Sequence, residues 1–144
     1  MDAFPHLYKA MVHGIPENAL TLSSEKLPAM DVAPPKQFDG PGDQWSPEEL
    51  LMASLSSCLV LSFRAIAKAS KLEWNSIACE SQGTLDKVDR KVQFTTVTSV
   101  IKLVISTDEN AEKANRLLQK AEASCFVSNS LSCDFRLECD ITTG

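Results

Sequence analysis

The chain predicts an α+β fold with a mostly antiparallel sheet. Segments that alternate apolar and polar residues come in pairs around turn-forming residues. Two helices with clear apolar patterns separate those pairs, and a last alternating segment closes the chain. The resulting order, ββ-α-ββ-α-β, places strands next to one another in sequence, which favours antiparallel pairing over a doubly wound parallel sheet. With 144 residues, the chain has the size of one compact domain, residues 1–144, able to bury a core without staples.

The first pair comprises residues 7–14 and 18–24, joined through Gly14-Ile15-Pro16-Glu17-Asn18, whose composition suits a hairpin turn. Residues 28–45 then carry Pro28, Pro34, Pro35, Gly40, Pro41 and Gly42. That density rules out a helix or a central strand and predicts a long loop. Ser46-Pro47-Glu48-Glu49 is a capping box, with Ser46 as N-cap, proline at the first helical position and Glu49 three residues after the cap. The helix it opens should run to about Ser70. Its first two-thirds is apolar nearly all round, which predicts a long central helix enclosed by other structure.

A second hairpin is expected from residues 76–86 and 91–106 about Lys87–Arg90. Within it Val97, Ile101, Leu103 and Ile105 share one face. A second helix over 108–123, capped by Thr107 or Asp108, carries an apolar stripe of Ala111, Ala114, Leu117, Leu118 and Ala121. Cys125 lies just past its end, followed by a short turn or helix at 127–131. Residues 134–141 place Phe135, Leu137, Cys139 and Ile141 on one face and charges on the other, as a half-buried antiparallel strand would.

Composition narrows the function classes. A net charge of −5 with scattered lysines and arginines argues against nucleic-acid or anionic-membrane partners, which need clustered positive charge. Residues 1–10 show no secretory pattern. The longest uncharged apolar run, Leu50 to Phe63, is 14 residues, short of the ~20 needed to span a bilayer. A cytoplasmic protein with no membrane association is expected. The five cysteines, Cys58, Cys79, Cys125, Cys133 and Cys139, form no close pair, and the two histidines, His6 and His13, sit near the N-terminus. No metal site, cofactor or structural disulfide framework is expected. Cys79 and Cys139 read as core residues. Cys133 has no clear assignment. Trp45 and Trp74 flank the long helix as packing residues or as walls of an apolar pocket.

Two segments carry a family resemblance. The run Ser46-Pro47-Glu48-Glu49-Leu50-Leu51-Met52-Ala53 through Ser56-Ser57-Cys58 resembles the Pro-Glu-x-Leu helix of the OsmC/Ohr family, which ends its apolar run at Ser/Ala-Cys. Cys125-Phe126-Val127-Ser128-Asn129-Ser130-Leu131 resembles that family's Cys-Pro-Val-Ser-x-Ala-Leu motif. The resemblance implies an OsmC-like fold in an intertwined homodimer with active sites at the subunit interface. It implies reduction of small organic hydroperoxides without a cofactor. Carried over by position, Cys58 is the peroxidatic thiol, Cys125 the resolving thiol and Glu48 the active-site glutamate, with an external dithiol as reductant. Cys58 needs a cation or donor close by to form a thiolate, because apolar burial works against one. Ten helical residues span about 15 Å, so a Glu48 that serves a Cys58 should serve the one in the other subunit.

The chain departs from the family pattern in two places. No arginine precedes Arg64, whereas the family places one in the first hairpin turn. Here the candidates for a positive charge are His13, Lys9 and Lys36, none of which offers a bidentate fork. Phe126 stands where the family has proline. The alternative reading is therefore a non-enzymatic OsmC-fold protein that binds a ligand or senses redox state.

Overall fold

The computed structural model describes residues 1–144. It contains six strands and three α-helices, with short 3-10 turns at Lys36–Phe38 and Asp108–Asn110. The strands form two separate three-stranded sheets. The chain divides into two compact units, Met1–Leu51 and Met52–Gly144.

In the first unit, β1 (Met11–His13) pairs antiparallel with β2 (Leu20–Ser23), which confirms the N-terminal hairpin with shorter strands than expected. Asn18 turns the chain at a φ of 73°, a left-handed conformation that asparagine tolerates better than most residues. The proline-rich segment is not all loop. It contributes β3 (Met30–Val32), antiparallel to β2. Three residues fit between Pro28 and Pro34, and β3 lies at the sheet edge, where missing N–H donors cost nothing. The chain then returns along it, with the Ala33 N–H donating to the Trp45 carbonyl at 2.9 Å. Gly40 makes this return possible, because a Cβ there would overlap the Pro34 carbonyl oxygen.

Helix α1 runs from Pro47 to Ala69. Its cap forms as the sequence predicts. The Glu49 N–H donates to Ser46 Oγ at 3.2 Å, and the Ser46 hydroxyl donates to Glu49 Oε1 at 2.9 Å. Ser46 is fully buried, so this reciprocal pair satisfies groups that water cannot reach. By length and composition α1 could cross a bilayer, with a mean hydropathy of 1.8 over 18 residues. Leu59, Phe63 and Ala67 are instead part of the sheet core. Within the single chain the helix is fully buried only along Leu55, Leu59, Phe63 and Ala67, one residue per turn. Val60 and Ile66 stay half-buried and Leu61 is 57% exposed.

The second unit is built on β4 (Trp74–Val88), β5 (Lys91–Ile105) and β6 (Asp134–Thr143), with β5 central. Strands β4 and β5 form the expected hairpin, closed by Asp89 and Arg90 at φ 49° and 69°. Two left-handed residues in a two-residue loop make the turn type whose twist matches the flanking strands. Strand β6 corrects the sequence expectation, since it pairs parallel with β5, Val97 opposite Phe135 and Ile105 opposite Thr143. The reason is the connection. Helix α2 (Ala111–Ala123) lies between the two strands, and a helix that packs on the sheet carries the chain back to the end where β5 began. Alternation along β6 reports a half-buried strand and is silent about its direction. Ile101, Leu103 and Ile105 on β5 pack with Phe63 on α1 and Ala114, Leu118 and Ala121 on α2, all essentially inaccessible. Phe63 meets Trp74 edge to face, ring centroids 5.6 Å apart.

One polar thread crosses this core. Ser56 of α1 donates to Ser81 of β4 at 2.7 Å, and Ser81 shares a second 2.7 Å bond with Ser99 of β5. Two residues along β4, Gly83 keeps Met52 and Phe94 close, since a Cβ there would come within 2.9 Å of both side chains.

Candidate active site

Cys58 lies in the middle of α1, half-buried. Cys125 is 1% exposed and occupies the N-cap of α3 (Phe126–Asn129), the short helix that continues from α2 toward β6. The structure brings the two together, close enough for each thiol to shift the other. They are unbonded thiols. The 66 residues between them in sequence are spanned by the rest of α1, the β4–β5 hairpin and α2, which bring the chain back to the middle of α1.

The local start of α3 explains what surrounds the sulfurs. Cys125 is extended, φ −68° and ψ 117°, and the first N–H groups of a helix have no intrahelical acceptor. No oxygen side chain caps them. The Ser128 hydroxyl donates to the Cys125 carbonyl at 3.2 Å, and the backbone of Phe126 and Val127 lies near enough to Cys58 to lower its thiol. The Asn129 N–H closes the turn on the Cys125 carbonyl at 3.0 Å.

These donors make the two thiols unequal. Partial burial pushes the Cys58 thiol up, but the Val127 N–H, the Cys125 thiol, the Phe126 N–H and the Ser62 hydroxyl outweigh it, and Cys58 ends below its ordinary value. Cys125 ends above its ordinary value. Burial is the main cause, and the proximity of Cys58 adds to it against the help of Ser128. The lower member of the pair is thus the more accessible one, and the higher member, raised mainly by burial, is the one that favours its protonated form. Such an arrangement generates a thiolate with a protonated thiol in contact.

The groups that lower Cys58 thus include backbone as well as the Cys125 and Ser62 side chains. Ser62 was legible in principle, because it lies one helical turn after Cys58 and on the same face. All the groups that shape Cys58 come from α1 and the Cys125–Val127 segment. His13 ends β1 and Lys9 precedes it, Lys36 opens a 3-10 turn and Arg64 lies on the outer face of α1; all four are exposed. Glu48 sits in the first turn of α1, ten residues before Cys58, a rise of about 15 Å. Its Oε1 is buried and has no hydrogen-bond partner in the chain.

The remaining cysteines behave as core or surface residues. Cys79 and Cys139 flank Ile101 on opposite sides of β5. Two strand spacings separate them, roughly 9.5 Å, too far for a disulfide. Burial raises both thiols, and beside Cys79 the half-buried Glu122 carboxyl is itself raised by burial. Cys133 is half-buried in the bend before β6. No three His, Cys, Asp or Glu side chains gather where they could hold a metal ion. A hollow of about 280 Å³ lies beside Lys9–Met11 and Ser23–Glu25 in the first unit, and it contains no nucleophile beyond surface hydroxyls.

Known proteins place this arrangement. The family of OsmC-like proteins matches residues 40–140, which include both cysteines and Glu48. The uncharacterized protein YmaD of Bacillus subtilis is 26% identical over 145 residues, 96% of each chain. An OsmC-like protein of unknown function from Vibrio cholerae superposes with a TM-score of 0.87 at 20% identity, over 94% of this chain and 100% of its own. The organic hydroperoxide resistance protein OhrB of Bacillus subtilis superposes with a TM-score of 0.71 at 24% identity, over 92% of this chain and 96% of its own. A Legionella pneumophila organic hydroperoxide resistance protein gives 0.72 at 23% identity, over 96% and 99%. These identities establish a shared fold, and the match across 40–140 establishes more: the chain belongs to the family of OsmC-like proteins.

Proposed function

We propose that the protein reduces organic hydroperoxides with Cys58 as the attacking thiol and Cys125 as the resolving one. The observation that carries this reading is the meeting of a part-exposed thiol on α1 with a buried one at the start of α3, the first lowered and the second raised from the ordinary thiol value. The Cys58 thiolate attacks one peroxide oxygen. The O–O bond breaks, the alkoxide leaves and takes up a proton as the alcohol, and Cys58 becomes a sulfenic acid. Cys125 then attacks the Cys58 sulfur, a disulfide forms, and the hydroxyl leaves with the Cys125 proton as water. An external dithiol returns both thiols by two exchange steps and is itself oxidised to a disulfide.

Glu48 acts in this reading from the second copy of a homodimer. Its orphaned Oε1 is a strong acceptor out of reach of water, and the partly uncovered apolar surface of α1 gives a second chain something to bury. A cytoplasmic setting, with its reduced thiol pool, suits a cycle that needs a dithiol.

The test is direct. One equivalent of cumene hydroperoxide is added to the reduced protein, free thiols are blocked, and disulfides are mapped by mass spectrometry. A Cys58–Cys125 bond formed within seconds is expected. Two free thiols at these positions after full consumption of peroxide would exclude the mechanism. Oxidation without turnover in the presence of dihydrolipoamide or another dithiol would leave a redox sensor as the better reading.

A further inference from the structure

We propose that Ser56 is a positioning residue for the Cys58–Cys125 pair, its bond to Ser81 fixing the height at which the Cys58 turn of α1 stands against the sheet. The two thiols reach each other by different routes. Cys58 goes where α1 goes. Cys125 ends the connection from β5 through α2, and Ala114, Leu117, Leu118 and Ala121 of α2 belong to the core on the sheet. The relative placement of the sulfurs is therefore set by how α1 sits on that sheet. The apolar cluster holds α1 from Leu59 onward, through Leu59, Phe63 and Ala67. In the turn before it, the hydrogen-bonded link to the sheet is Ser56. Its hydroxyl donates to Ser81 at 2.7 Å, and Ser81 shares a 2.7 Å bond with Ser99.

A hydrogen bond can fix a height that apolar packing leaves loose, because it needs a partner at one distance and one angle. Met52 and Ser56 are one turn apart on α1, a rise of about 6 Å. Met52 lies over Gly83 and Ser56 over Ser81, and those two are a pair of residues apart on β4, about 6.6 Å. Helix and strand thus keep step while running in opposite directions. Sliding α1 by one turn would bring Ser56 to Gly83, which has no side chain, or to Cys79, whose sulfur is a weak acceptor. Only the observed height gives the Ser56 hydroxyl an oxygen. Ser99, buried and directly opposite Ser81, holds the Ser81 hydroxyl in place from the other side. The consequence for turnover rests on the proposed mechanism; the placement of the pair does not.

The readout is the equilibrium of the pair with glutathione. The protein dithiol and one oxidised glutathione give the Cys58–Cys125 disulfide and two reduced glutathiones. The equilibrium constant measures the effective concentration of one thiol at the other, which depends on how well the two are held together. Samples are quenched with acid and the bond is quantified by peptide mass spectrometry, so that the other three thiols do not interfere. Ser56→Ala should lower the constant about 3- to 10-fold. Alanine is the better helix former, so a looser pair cannot be put down to a weaker helix. Ser81→Ala breaks the same link and should lower the constant as well. Ile77→Val trims the same face of β4 further along, opposite Leu103, and serves as the control for stability alone. Its urea midpoint should fall while its constant stays within about twofold of the wild type. A constant for Ser56→Ala within twofold of the wild type, or an equal drop in Ile77→Val, would overturn the proposal and leave the mechanism standing. A wild type that forms no Cys58–Cys125 bond at any glutathione ratio would overturn both.

Discussion

Cys125 lies against Cys58, and the two are displaced from the ordinary thiol value in opposite directions. That division of labour is set by position. One sulfur sits at the N-cap of a short helix, buried, and the other is part-exposed in the middle of α1.

Single substitutions should separate the two roles. Cys58→Ser should lower hydroperoxide consumption at least 100-fold, because a hydroxyl at this site has no accessible anion near neutral pH. Cys125→Ser should still consume one equivalent and stop at a Cys58 sulfenic acid, detected as a dimedone adduct. Dimedone labelling of any other cysteine in that variant would redirect the assignment.

The pair also predicts how stability depends on pH. A thiol lowered in the folded state adds stability that is complete above its unfolded value and disappears as pH falls through the folded value. A raised thiol adds stability that is complete below the unfolded value and is lost as pH rises through the folded one. The difference in Tm between wild type and Cys58→Ser should therefore grow in favour of wild type from neutral pH toward pH 9. The corresponding difference for Cys125→Ser should shrink above pH 9. Thermal scans between pH 6 and 10 check both signs.

The serine thread can be tested as a unit. Ser81→Ala removes both 2.7 Å bonds and strands the buried Ser99 hydroxyl. It should cost about 1–3 kcal/mol, more than Ser56→Ala, which leaves the second bond intact. Urea denaturation of both single variants and the double variant gives the coupling, and additive losses would show that the thread is not cooperative.

Phe63→Ala should be the most damaging of these changes. Phe63 is inaccessible and packs on Trp74, so truncation should cost about 3–5 kcal/mol. Glu122→Gln should do the reverse. Burial raises this carboxyl, so its favourable contribution is complete only below the ordinary carboxylate value and is lost as pH rises through the folded one. A neutral isostere should raise Tm by about 1–3 °C at pH 7 and by less at pH 4.

The parts of the molecule legible in the sequence are those specified locally. Ser46, Pro47 and Glu49 announce the start of α1, and the alternation of Val97, Ile101, Leu103 and Ile105 marks the buried face of β5. The two cysteine motifs were recognisable as well. What the residues alone could not show depends on contacts distant in sequence. The parallel direction of β6 is decided by the packing of α2. Strand β3 exists because it pairs with β2, a contact that the flanking prolines hide. Part of what lowers Cys58 is main chain, which carries no side-chain signature, whereas Ser62, one turn along α1, does.

The crossover from β5 through α2 to β6 has a consequence for the order of events when the chain folds. The β4–β5 hairpin closes over a two-residue loop and can form early, whereas β6 must wait for α2 to dock before it finds its parallel partner. Cys125 rides on that late connection. The two sulfurs therefore come into register only when the last strand is in place, and any partial opening that releases β6 takes the redox pair apart before it disturbs the hairpin. In hydrogen-exchange measurements the amides of β6 and α3 should lose protection together and ahead of those in β5.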